Sequence, residues 1–239
     1  MTEDTQPQTL TRERVLEGAV ALTDEIGIEA FTIRKLAATL GSKPMTIYYH
    51  VPSKEQIIDG MVELVFAEIE KPPEDQDWKP AIRRRCISAR ETLKRHPWAP
   101  PLMESPTSPG PENLGHHESV LACLRRGGLD WQMTAHAYAI LDAFVYGFAF
   151  QEAILPGGAG EELFEIAKDI ATAFDPDTFP HLVEFTVNHV LQSGYNSGAS
   201  FEFGLDLILD VLEQSARGVA IRTSDTGAQD SAGPPHPER

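Results

Sequence analysis

Apolar residues recur at helical spacing along the chain, and the series they form predict an all-α protein. Val15, Ala19, Leu22 and Ile26, widened by Leu16 and Val20, give a first helix opened by Thr11 as N-cap and closed by a left-handed Gly27. Thr32 caps a second helix, Ile33 to Leu40, with Leu36, Ala37 and Leu40 inward, and Gly41 stops it. Ser42 is read as the cap of a short third helix, Lys43 to His50, where Pro44 suits the first turn and Ile47 is the inward anchor. Ser53 and Gln56 make a capping box for a fourth helix, which carries Ile57, Met61, Leu64, Val65 and Ile69. Two short helices joined by a tight turn read as a helix-turn-helix.

The run KPPEDQD at 71–77 reads as a boundary between two helical domains. Beyond it the pattern predicts helices over 78–95, 112–126, 131–155 with Asp130 as cap, 161–173, 179–192 and 201–216, while the prolines between 97 and 111 rule out one continuous helix there. The last helix has Phe201, Leu205, Ile208 and Leu212 on one face and Phe203, Leu207 and Val211 nearly opposite, with Gly204 allowing close approach. A helix apolar on two sides needs cover on both, and a second subunit is a natural cover. The expected organisation is a disordered arm at 1–10, a three-helix helix-turn-helix domain at 11–70, a larger helical domain at 78–221 and a disordered tail at 222–239.

Charge changes this picture at one place. The chain has a formal net charge of −16, yet no acidic residue occurs between Glu29 and Glu55, where Arg34, Lys35, Lys43 and Lys54 lie. An acid-free window in so acidic a chain suggests a surface that approaches a polyanion, with DNA contact confined to it. The basic residues of the fifth helix, Arg83, Arg84, Arg85, Arg90, Lys94 and Arg95, are expected instead on a solvated face paired with Glu63, Glu68 and Glu70. Cys86 and Cys123 have no metal or disulfide spacing and read as buried thiols. There is no signal-peptide pattern and no membrane-spanning run, so a cytoplasmic protein that meets no membrane is expected.

The run GIEAFTIRKLAATLGSKPMTIYYHVPSKEQIIDGM resembles the N-terminal DNA-binding domain of the tetracycline-repressor (TetR) family of bacterial transcription regulators. The YGFAFQE run at 146–152 and FEFGLDLILDVLE near the end are similar to that family's C-terminal domain. The resemblance implies that Thr32 and Arg34 touch DNA, that Pro44, Met45 and Thr46 face bases, and that Tyr48, His50 and Lys54 contact phosphate; Lys43 joins them as a basic residue of the same window. Tyr49 reads as a core aromatic. The tetracycline repressors have a glutamine at the position of Pro44, so the operator should differ. Thr46 and Met45 are modest base readers, and two subunits on a palindromic duplex would be needed.

The same resemblance implies a small-molecule pocket in the larger domain, for which His116, His117, Trp131, His136, Tyr138, Phe144, Phe148 and Gln151 are candidates, about a third of them as true contacts. Tetracycline with magnesium does not suit the chain, because no histidine lies between His96 and His116. Adjacent His116 and His117 diverge on a helix, so neither a metal nor any other cofactor is expected. The expected function is a ligand-responsive, homodimeric repressor released from its operator by a small molecule, and not an enzyme. An all-α enzyme using Glu152 with His136 or His117 and a helical protein-binding module are the alternatives; no catalytic motif supports the first.

Overall fold

The computed structural model describes residues 10–103, 109–154, 168–169, 174–192 and 197–217, and among them every regular element is helical. The expected arm at 1–10, apart from residue 10, the expected tail at 222–239 and the predicted helix over 161–173, except 168–169, lie outside the described residues. The first four helices are α1 (Arg12–Ile26), α2 (Ile33–Thr39), α3 (Pro44–His50) and α4 (Lys54–Glu68). Three of them open on the predicted hydroxyls. Thr11 accepts from the Arg14 N–H at 3.3 Å, Thr32 from Lys35 at 3.2 Å and Ser53 from Gln56 at 3.1 Å. Each satisfies a first-turn donor that has no partner within its helix.

The turn between α2 and α3 differs from the sequence reading. Ser42 does not cap α3; its N–H donates to the Ala37 carbonyl at 2.8 Å while the Gly41 N–H donates to Ala38 at 3.1 Å. This paired closure at the end of α2 is a Schellman motif, and it needs the left-handed φ of 60° that Gly41 supplies. Lys43 is consequently the N-cap of α3 rather than its first residue, and Pro44 occupies the first helical position. Gly27 also has a positive φ, 77°, but its ψ of 159° sends the chain out extended instead of into a left-handed helical cap.

The larger part comprises α5 (Trp78–Arg95), α6 (Pro100–Met103), α7 (Pro111–Arg126), α8 (Trp131–Ile154), α9 (Pro180–Phe185) and α10 (Ser197–Ala216). The short α6 inside the proline-rich stretch was not apparent from periodicity, being a single turn. A π-helical turn, Thr186–Val190, continues α9, and α10 begins four residues before the expected Phe201. Asp130 caps α8 by accepting from the Met133 N–H at 2.7 Å.

One hydrophobic core runs through both parts, and α4 is the shared element, packing on α1 in the first part and α7 in the second. A polar clasp reinforces the junction. Asp24 on α1 accepts from the Trp98 indole at 2.7 Å and sits 2.8 Å from His96 Nδ1, whose other ring nitrogen is 3.2 Å from Glu68 on α4. Helix α5 lies centrally against α7, α8 and α10.

That central position overturns part of the expectation for its basic residues. Arg84 and Arg95 do pair with Glu70 and Glu68, at 2.5 and 2.6 Å, on the surface. Arg83 turns to Glu202 and Asp206 on α10, joined by Lys79 with Asp210 and Glu213. Arg85 and Arg90 are buried, because α7, α8 and α10 cover the face that carries them. Arg90 forms a two-pronged pair with Glu152 on α8 and lies 4.9 Å from the Phe201 ring centroid. Glu63 pairs with none of these arginines.

Candidate nucleic-acid interface and effector cavity

Helix α3 has seven residues and buries one, Ile47. Met45 is 77% and Tyr49 84% exposed, and Pro44, Thr46 and Tyr48 are exposed with them. A helix held by a single anchor presents nearly its whole circumference, the geometry required to enter a groove. Tyr49 is therefore not the core aromatic expected, since the one inward position of so short a helix is taken by Ile47; its ring meets His50 edge-on at 5.2 Å. His50 is half-buried at the end of α3.

The other predicted contacts surround α3. Arg34 and Lys43 are exposed, and Thr32 is exposed while its hydroxyl caps α2. Lys54 stands in the first turn of α4, its Nζ 5.8 Å from the Phe31 ring centroid. Lys35, in contrast, spends its ammonium on the Ala30 carbonyl at 3.0 Å. The surface thus offers cations, hydroxyls and exposed apolar groups with no carboxylate from within residues 30–54.

In the larger part, a cavity of about 730 Å³ opens between α7 and α8 beside the end of α6. Met103, Pro109, Leu114, Ala139 and Ala143 supply apolar wall, and Asn113, His117, Tyr138, Asp142 and Tyr146 supply the polar groups. Of the eight predicted effector residues, His117 and Tyr138 line it. His116 sits behind them, fully buried; Trp131 is exposed under the Arg125 guanidinium at 4.5 Å. His136 and Gln151 are exposed, and Phe144 and Phe148 pack on Phe201, each with centroids 5.2 Å from it. A Cβ on Gly204 would lie 2.9 Å from the Phe144 ring, which accounts for the predicted close approach.

Behind the polar wall lies a buried ion pair with a histidine beside it. Arg85, 1% exposed, places Nη1 3.0 Å from Asp142 Oδ1, and its Nε donates to His116 Nε2 at 2.9 Å. Burial, the largest single influence, works against the Arg85 charge, but Asp142 together with Cys86 and Tyr146 more than offsets it and raises the pKa. His116 is pushed down to about 3, chiefly by burial and then by Arg85, so its ring is neutral and accepts through Nε2. Burial, then Asp142 and Tyr146, push the Tyr138 phenol up, keeping it protonated beside Asp142 and His117. Burial raises both thiols, Cys86 and Cys123, making them poor nucleophiles.

Asn113, Asp142 and Tyr146 were missed in the sequence. A signal for Asp142 was present: it is an isolated carboxylate in the long apolar run of α8, and such a residue, if buried, needs a cation. Asn113 had no comparable signal.

The cavity is also tied to the DNA-binding part. Glu63 on α4 accepts from the backbone N–H groups of Glu112 at 2.8 Å and Asn113 at 3.2 Å, capping α7 from another helix. The carboxylate fits because position 110 has no side chain; a Cβ there would lie 2.3 Å from Glu63 Cδ. Gly110→Ala should therefore expel Glu63 and cost about 1–3 kcal/mol, the range for leaving such groups unpaired, in urea-unfolding measurements. Glu63→Gln should be milder, since an amide oxygen still accepts; equal stability of Gly110→Ala and wild type would refute the clamp.

An exposed short helix in an acid-free helix-turn-helix, carried on a larger all-α body with its own cavity, defines the class: a DNA-binding regulator with a separate ligand-sized site. Residues 15–61 match the bacterial regulatory proteins of the tetR family, and residues 71–216 match the tetracyclin repressor-like C-terminal domain. The chain belongs to the TetR family and is a ligand-responsive transcriptional regulator. The HTH-type transcriptional repressor DrrR1 of Streptomyces coeruleorubidus is 32% identical over 223 residues, covering 86% of this chain and 78% of its own. The tetracycline repressor protein class C of Escherichia coli is 25% identical over 208 residues, 86% of this chain and 91% of its own. Among solved structures, the TetR family protein ActR of Streptomyces coelicolor in complex with actinorhodin is similar with a TM-score of 0.69 at 25% identity, over 87% of this chain and 99% of that one. No helix of the described residues is long and apolar enough to cross a membrane.

Proposed function

We propose that the protein is a homodimeric repressor that acts in the cytoplasm, binds a palindromic operator through two copies of α3 and leaves it when a small molecule enters the cavity between α7 and α8. The observation that carries the operator reading is the single-anchor burial of α3 within the acid-free window. Pro44, Met45 and Thr46 face the bases; Thr32, Arg34, Lys43, Tyr48, His50 and Lys54 hold phosphates, and Tyr49 joins the contact surface. Base contacts give the specificity and phosphate contacts the register.

Supporting the dimer, Phe203, Leu207 and Val211 form an exposed apolar stripe on α10, and Ile140, Phe150 and Ile154 are exposed on α8. Supporting the ligand, the cavity has a size typical of small-molecule sites, and ActR is known with actinorhodin bound. Ligand binding must favour one conformation to shift DNA affinity, and α4 is suited to relay it, since it bears the clamp to α7 at one end and follows α3 at the other.

A gel shift on the DNA around the protein's own gene tests this. Specific binding should weaken steeply with salt, and Thr46→Ala with Tyr48→Phe should lower it by tenfold or more, given roughly 1–3 kcal/mol per good contact. Undiminished specific binding by the double variant would remove α3 from the interface.

A further inference from the structure

The side chains of α3 that reach furthest from the body carry no group that reads a base edge by paired hydrogen bonds, and the inference drawn from this rests on the operator reading of that helix. Ile47 is the single buried anchor of α3. Met45 stands two residues before it and Tyr49 two residues after, so at about 100° per residue each lies about 20° from the direction opposite Ile47. They are also the two most exposed large apolar side chains among the described residues. Pro44 and His50 turn back toward the side of the anchor, while Thr46 and Tyr48 stand on the two flanks. A helix that enters a groove with Ile47 toward the body therefore leads with a thioether and an aromatic ring.

The paired hydrogen bonds that distinguish bases in the major groove come from Arg or Lys on guanine and from Asn or Gln on adenine, and Asp or Glu accepts from cytosine. Residues 44–50 contain none of these. Of the cations beside α3, Lys35 is held by the Ala30 carbonyl, and Arg34 and Lys43 lie outside the helix, on α2 and at the N-cap. What the major groove offers to apolar side chains is the 5-methyl group of thymine. The Tyr49 ring presents a flat face, and the unbranched Met45 side chain adapts to whatever lies opposite it. A methyl seated against the two removes exposed apolar surface from water on both sides of the contact.

We propose that Met45 and Tyr49 determine the specificity of α3 and that they do so by reading the 5-methyl group of a thymine in each operator half-site. The test uses the full chain and the DNA around its own gene, narrowed by footprinting to the protected palindrome. Each thymine is replaced in turn by deoxyuridine, which removes the methyl and keeps the base pairing. For at least one thymine of the half-site, the replacement should weaken binding about fourfold in one half-site and about fifteenfold in both, the factors for one buried methyl each. Met45→Ala with Tyr49→Ala should bind thymine and uracil duplexes equally, whereas Tyr49→Phe, which keeps the ring, should retain the uracil penalty. The ratio of the two affinities is read on one protein sample at a time, so it does not depend on how much of a variant is folded. A protected half-site without thymine, a uracil penalty that survives the double variant, or one that Tyr49→Phe alone abolishes overturns the proposal. Uracil-insensitive binding that falls when 7-deazaguanine replaces guanine overturns it in favour of Arg34 or Lys43. All of these leave the operator reading in place, while the absence of any sequence-specific shift with the wild-type protein overturns both.

Discussion

Arg85→Met is expected to destabilise the protein by about 3–5 kcal/mol, because it leaves the Asp142 carboxylate buried without its cation. The arginine is 1% exposed, and its contacts to Asp142 and His116 are inside the body. The double variant Arg85→Met with Asp142→Leu should recover most of that loss, since replacing both partners by apolar groups of similar size is often neutral. Urea-unfolding midpoints of the two single variants and the double variant decide it. Additive losses would show that the pair is not energetically coupled.

His116 makes the same cluster sensitive to acid. Its pKa falls from the ordinary 6.5 in the unfolded chain to about 3 in the folded one. Between those values the unfolded state binds a proton that the folded state refuses. Stability contributed by the neutral ring is therefore complete above about pH 6.5 and is lost progressively as pH falls toward about 3. His116→Gln keeps an acceptor for Arg85 Nε and should flatten this part of the profile of melting temperature against pH. An unchanged slope would mean that other groups set the acid limit.

The second large effect is expected from Leu207→Asp on the outer face of α10. Leu207 is 52% exposed in a single protomer, so its replacement should leave protomer stability within about 0.5 kcal/mol, as for surface sites without special contacts. Against another copy, a carboxylate in an apolar seam is strongly unfavourable. Sedimentation should then report a monomer, and operator affinity should fall by two orders of magnitude or more, since linking two weak binding units raises avidity by about 10²–10⁴-fold. A variant that remains dimeric would place the subunit contact elsewhere, and a monomeric wild type would dismiss it.

Local structure was the most readable part of the chain. Thr11, Thr32 and Ser53 announced three helix starts because a capping hydroxyl acts on residues two or three places away. Trp78–Arg95 was found with both ends correct, since a proline-rich stretch precedes it and another follows. Ser42 misled because serine caps starts and also accompanies Schellman endings; the left-handed Gly41 before it decides between them. The exposure of α3 agrees with the reading drawn from the family motif and the missing acids, whereas Tyr49 was misassigned because seven residues give too little periodicity to tell faces apart. The cavity was harder to see. Which aromatic residues of α8 touch it depends on how α5, α7 and α10 surround that helix, and this is a property of packing between distant segments. His117 and Tyr138 were found, while Trp131, His136 and Gln151 fell on exposed faces that sequence spacing does not distinguish.

The acid-free window has a consequence for how the protein finds DNA. With a net charge of −16 on the chain and no carboxylate from residue 30 to 54, a duplex is repelled from most directions and tolerated from one. Encounters are filtered by orientation before any base is read. Repulsion from the body and attraction at α3 are both screened within a Debye length of about 10 Å at 0.1 M salt, so they weaken together. Added salt thus lowers the barrier to approach while loosening the bound complex, and the search for an operator should slow less with salt than the complex itself is weakened.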